Sequence, residues 1–132
     1  MRTATLNAGA LCRPDAITIP SSTSLSAAAR LLRDRCTHYL LVTDEHARSR
    51  HHIVGIVSGH EIATSVVARE GDPCFIRVSD VMVAPALFVH AEDAADTLPI
   101  RMHEAGASCA PVLSADDNVV GVLCIEDLIG RV

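Results

Sequence analysis

The sequence predicts an α/β (α+β) fold made of two tandem β-α-β-β-α repeats related by a pseudo-two-fold axis. Three observations lead there. Aromatic residues are only 2% of the 132, with no Trp, one Tyr and two Phe, while hydrophobic residues reach 49%. The core must therefore be Val, Ile, Leu and Ala, which suits β-branched strands beside Ala/Leu helices. Short apolar runs alternate with Ala-rich amphipathic stretches. The chain also resembles itself at a fixed spacing.

Shifted by 70 positions, Leu11-Cys12 falls on Val81-Met82, Ile17 and Ile19 on Leu87 and Val89, and Ala28 and Leu32 on Leu98 and Met102. Cys36 then meets Gly106, and Val42 meets Val112. Past the polar stretch His46-Ala47-Arg48-Ser49-Arg50-His51-His52 the offset drops to 66, and Gly55-Ile56-Val57 falls on Gly121-Val122-Leu123. Glu61-Ile62 falls on Asp127-Leu128 at that same offset.

In the first repeat Ala16-Ile17-Thr18-Ile19 alternates as a short strand, and Pro20 to Ser24 supplies turn and N-cap residues. Leu25 to Arg35 reads as a helix with Leu25, Ala28, Ala29 and Leu32 on one face. Tyr39 to Thr43 and Ile53 to Val57 are apolar runs of strand length. Ser58 caps a helix from Gly59 to about Arg69, with Glu61 in its first turn, where acid is favoured. Gly71-Asp72-Pro73 closes this half.

The second repeat follows the same order. Asp93 is placed to cap a helix ending before Gly106, although Pro99 would kink it or delay its start. Ala110 to Leu113 and Val119 to Leu123 read as strands joined by Ser114-Ala115-Asp116-Asp117-Asn118. A short last helix begins at Cys124 and runs through Ile125 to Gly130. One such half buries too little apolar surface to stand alone, so two halves packed together, with clefts where they meet, are expected. The expected domains are 8–72 and 78–132.

Charge excludes some functions. A net charge of −5 with neutral His gives no basic face to track phosphates, and the scarcity of aromatics removes stacking platforms, so no nucleic-acid partner is expected. No apolar run nears the roughly 20 residues that span a bilayer. Met1 to Asn7 lacks an apolar signal-peptide core. The expectation is a cytoplasmic protein without membrane contact. Five cysteines, Cys12, Cys36, Cys74, Cys109 and Cys124, contain no CxxC and read as small buried hydrophobes.

Three stretches carry a family likeness. Val78-Ser79-Asp80-Val81-Met82 fits a "V-x-D-V-M" lead-in. Ala105 to Val112 fits a helix exit and second strand. Gly121-Val122-Leu123-Cys124-Ile125-Glu126-Asp127-Leu128 fits "G-h-h-T/S-x-x-D-L", with h apolar, and Gly55-Ile56-Val57-Ser58-Gly59-His60-Glu61-Ile62 is its first-half counterpart. The chain thus resembles tandem cystathionine β-synthase-type (CBS) domains over residues 8 to 132.

The resemblance implies a regulatory module, not an enzyme, that senses an adenosine-type ligand (AMP, ADP, ATP or S-adenosylmethionine) in the inter-domain clefts and signals to an unknown client protein. It also implies a homodimer. In that family pattern the Gly allows close approach to a ligand, the Ser/Thr opens a helix suited to phosphate, and the Asp accepts from ribose hydroxyls.

Each half keeps one member of the pair. Ser58 comes with Glu61, one methylene longer than Asp, and Asp127 comes with Cys124, a poor donor. The resemblance places phosphate contact nearer Ser58 and ribose contact nearer Asp127. His38 and Tyr39, and their counterparts Ser108 and Cys109 with the following Ala110, fall where the family lines its nucleoside pocket. The expected ligand-binding set is Ser58, Glu61, Asp127, Cys124, His38, Tyr39, Cys109 and Ala110, with no required cofactor.

Competing readings are a module without ligand, since Ser58 and Glu61 are also what a good helix start needs, and a metal or redox sensor using His and Cys. His46, His51 and His52 do not match a zinc spacing, and Arg48 and Arg50 would repel a cation. Cys36, His38 and Asp34 straddle a helix end and a strand start, so they do not converge for catalysis. No G-x-S-x-G, H-E-x-x-H or P-loop occurs.

Overall fold

The computed structural model describes residues 6–44 and 52–128. They divide into two compact units, one made of the described residues within 17–84 and the other of those within 1–16 and 85–132.

In the unit 17–84, β1 (Ile17–Pro20), β2 (Tyr39–Thr43) and β3 (Ile53–Ser58) form a sheet in that order. β1 runs parallel to β2, with Ile17 beside Leu40 and Ile19 beside Val42. β3 is antiparallel to β2, pairing Tyr39 with Ser58 and Val42 with Gly55. The parallel step needs a crossover, and α2 (Leu25–Asp34) supplies it. Ser24 caps α2, its hydroxyl accepting from the Ala27 N–H at 3.2 Å. α3 (Gly59–Arg69) follows β3 and ends where Glu70 turns left-handed, φ 51°.

Ile19, Leu25, Ala28, Leu40, Val42, Val57, Ile62 and Val78 form the core of this unit. On α2, Leu25 and Ala28 are buried, Leu32 is half-buried, and Ala29 is exposed. The last part of the unit is a lead-in stretch: a 3-10 turn at Val78–Asp80, then Val83, which bridges antiparallel to Ile56 with N–H···O bonds of 2.8 and 2.9 Å.

The other unit repeats the topology. β4 (Val89–His90) is parallel to β5 (Cys109–Leu113), which is antiparallel to β6 (Val119–Cys124). α4 (Leu98–Ala105) makes the crossover and ends at Gly106, φ 69°. The expectation that Asp93 caps this helix is corrected. A 3-10 turn at Ala95–Thr97 intervenes, and α4 starts at Leu98 with Pro99 in its first turn, where a missing N–H costs nothing. Asp93 instead accepts from the His90 N–H and from Arg101.

The lead-in here comes from the start of the chain. α1 (Ala8–Leu11), which the sequence reading did not anticipate, is capped by Asn7. Arg13 then bridges antiparallel to Val122, at 2.8 and 3.1 Å. Ala8, Leu11, Val89, Ala95, Leu98, Met102, Ala110, Val112, Leu123 and Leu128 form the core. The last helix, α5, covers Ile125–Leu128. Ile129 and Gly130 lie outside the described residues, as do His46 and His51 of the histidine-rich loop. No helix among the described residues is long and apolar enough to cross a membrane.

Candidate functional site

Each unit carries a strand-to-helix junction with a carboxylate three residues after the strand ends. The shared distance follows from helix geometry, because a side chain at the third helical position reaches back to the N-cap backbone.

At the β3–α3 junction, Oε1 of Glu61 accepts the Ser58 N–H at 2.9 Å and the Ser58 hydroxyl at 2.7 Å. The two residues therefore serve each other, and the hydroxyl proton is directed at the acid. Tyr39, half-buried, sits across from Ser58 in the sheet. His38 precedes it on an exposed turn.

At the β6–α5 junction, Asp127 accepts the Cys124 N–H on Oδ2 at 3.3 Å, repeating the Glu61 pattern. It has an additional partner. Arg13 reaches over from the lead-in, Nε to Oδ2 at 3.2 Å and Nη2 to Oδ1 at 3.1 Å, forming a fork on the carboxylate. Asp127 is 18% exposed and Arg13 37%. Hydrogen bonding to Asp127, with its charge, holds the Arg13 proton more tightly than usual.

Cys124 is fully buried, and its thiol is pushed up to about 12, by burial first and by the nearby Glu126 charge second. It stays protonated and contributes no anion. Cys109 faces Cys124 across the sheet and is also buried, whereas Ala110 pairs with Leu123 inside the core. Thus Tyr39, Ser58 and Glu61 come together in one unit, and Cys109, Cys124 and Asp127 in the other.

Two features went unseen in the sequence. Arg13 is one. It falls on Val83 at the 70-residue offset, so the repeat itself marks the position where one half has a cation and the other a hydrophobe. The second concerns the glycines of the G-h-h segments, expected to admit a ligand. The chain's own lead-ins take that space. A β-carbon on Gly55 would lie 2.7 Å from Cγ of Met82, and one on Gly121 would lie 2.6 Å from Sγ of Cys12.

Among the described residues no group of three His, Cys, Asp or Glu side chains is placed to hold a metal ion. The reading of all five cysteines as buried is corrected. Cys109 and Cys124 are buried, Cys12 is half-buried, and Cys36 and Cys74 are exposed because they lie on turns outside the sheets.

The CBS domain family model matches residues 8–68 and again 78–132. The chain belongs to the CBS domain family, as a pair of such domains. It is 27% identical over 112 residues to an L-aspartate semialdehyde sulfurtransferase of Methanocaldococcus jannaschii, covering 85% of this chain and 20% of that one. The chain thus spans about a fifth of the length of that curated relative.

Among solved structures, the CBS domain pair of protein MJ0100, in complex with 5′-methylthioadenosine and S-adenosyl-L-methionine, has a TM-score of 0.75 at 24% identity. That likeness covers 93% of this chain and 92% of the other. The CBS domain of a bacterial CNNM/CorC family Mg²⁺ transporter in complex with ATP has a TM-score of 0.79 at 20% identity, covering 98% and 88%. Both likenesses concern the fold.

Proposed function

We propose that this CBS domain pair senses an adenosine-type ligand and passes the change to a client protein, without catalysing a reaction. The observation that carries the reading is Asp127. It is a partly exposed carboxylate at a strand-to-helix junction, in the segment that matches the family pattern. Ionised, it offers two acceptor oxygens to a ribose diol. Structures of similar fold hold S-adenosylmethionine, methylthioadenosine or ATP, which supports the ligand class. Ser58 and Tyr39, with the exposed His38, mark a second contact region in the other unit, whereas Cys109, Cys124 and Ala110 of the expected set lie buried in the Asp127 unit.

The partner we assign besides the client is a second copy of the chain. An apolar groove of about 400 Å³ lined by Leu25, Ala29, Ile62, Val66 and Val67 supports it, as does the 77% exposure of Val67.

One observation favours a second reading, a module without ligand. Ser58 and Glu61 satisfy each other, and Asp127 is engaged by Arg13. Thermal unfolding with AMP, ADP, ATP and S-adenosylmethionine separates the two. A ligand that binds only the native state stabilises it by about 2.7 kcal/mol at a hundredfold excess over Kd. We expect a concentration-dependent rise in Tm with at least one ligand, lost in Asp127→Ala. A Tm unmoved by all four at millimolar concentration would leave the second reading standing.

A further inference from the structure

The Arg13 fork raises a question of occupancy. A carboxylate oxygen has about two acceptor directions. Oδ2 of Asp127 already takes Arg13 Nε and the Cys124 N–H, and Oδ1 takes Arg13 Nη2. One direction is left, and a ribose diol brings two donors. A riboside cannot engage Asp127 through both hydroxyls until the guanidinium withdraws.

Withdrawal is sterically simple. The Arg13 backbone is fixed by its two bonds to Val122, while the side chain is 37% exposed and can swing without disturbing the sheet. Electrostatically it is not neutral. Arg13 is the cation beside Asp127, and Glu126 adds a second acid nearby. With Arg13 gone, the Asp127 carboxylate would meet the ligand with the Glu126 charge close by and no cation between them. A free nucleoside would lose a competitor, while a nucleotide would lose its counter-charge. Among the described residues the other unit shows no such device, because Val83 holds the matching bridge there and Glu61 turns to its own cap.

We infer that Arg13 is a specificity-determining residue of the Asp127 site: its fork excludes neutral ribosides and yields to ligands whose anionic group can pair with the guanidinium. The inference rests on Asp127 as the ribose acceptor. It is tested by calorimetric titration of adenosine and AMP into the full chain, the Arg13→Met variant and the Asp127→Asn variant. Met keeps an apolar stem of similar reach, and circular dichroism verifies the fold. An Arg13→Lys variant, charged but without the fork, provides a second comparison.

We expect crossed effects. Arg13→Met should tighten adenosine and weaken AMP, each roughly three- to tenfold. Arg13→Lys should tighten adenosine while sparing AMP. If Arg13→Met moves both ligands equally, or neither, while Asp127→Asn abolishes both, the selectivity role is overturned and the ribose site stands. If Asp127→Asn leaves binding intact, or nothing binds to any form, the site assignment fails and the selectivity role falls with it.

Discussion

Gly121 lies against Cys12 so closely that a β-carbon on the glycine would come within 2.6 Å of the Cys12 sulfur, and within 2.5 Å of the neighbouring Arg13 carbonyl oxygen. The lead-in stretch is thereby seated on β6, and its two backbone bonds to Val122 depend on that fit. Gly59, at the start of α3, is the contrasting case, with nothing within 4 Å of its would-be β-carbon.

The two glycines should therefore respond oppositely to alanine. Gly121→Ala forces a new methyl against the Arg13 carbonyl oxygen and the Cys12 sulfur and should cost about 1–3 kcal/mol. Gly59→Ala adds a helix-favouring residue in open space and should be neutral or stabilising by up to about 1 kcal/mol. Urea denaturation of the two variants checks this. Equal, small changes in both would mean that the lead-in is not tightly seated.

Asp93 predicts a pH dependence. Burial pushes its carboxyl up, but the Arg101 hydrogen bond, the His90 N–H and the Arg101 charge together outweigh burial and leave it below the usual carboxylate range. A folded pKa below the unfolded one adds stability above the unfolded value, and that stability is lost as pH falls through the folded value. The unfolded value is about 3.9. Wild type should thus exceed Asp93→Asn in stability at pH 7, and the gap should close as pH drops below about 4. Denaturation curves at pH 7 and pH 3 measure it, and a gap of constant size would show that the charge is not what Arg101 recognises.

The cysteines predict a labelling order. Cys36 and Cys74 are exposed and should react with a thiol reagent in the native protein at pH 8. Cys109 and Cys124 are buried, and the Cys124 thiol at about 12 has almost no thiolate at that pH. Both should label only after denaturation. Cys12, its thiol raised mainly by burial against the opposing pull of a backbone hydrogen bond, should react slowly. Peptide mapping by mass spectrometry reads the order, and native labelling of Cys124 would contradict its burial.

Much of the fold was legible because its signals are local. Tyr39 to Thr43 is apolar over a strand's length and pairs as a strand, and Ser58 with Glu61 spells a helix start that the structure builds. The repeat gave the order of elements twice. Asp93 misled because a cap residue and a first helical turn look alike in sequence, while the true start was set by Pro99. α1 was missed because four residues are too few to show a period. The Asp127 carboxylate was found by motif, but its Arg13 partner was not. They are 114 positions apart, and the lead-in's seating on β6, through the bridge to Val122, brings them together.

The periods of the sequence and the pieces of the fold are out of phase, since 17–84 forms one piece while the opening residues join 85–132 in the other. A cleavage between 70 and 77 would not release a self-sufficient half. It would strip β3 of its outer neighbour, leaving a raw edge that invites pairing with a foreign strand. Interlacing of this kind ties the fate of each sheet to an uncut backbone.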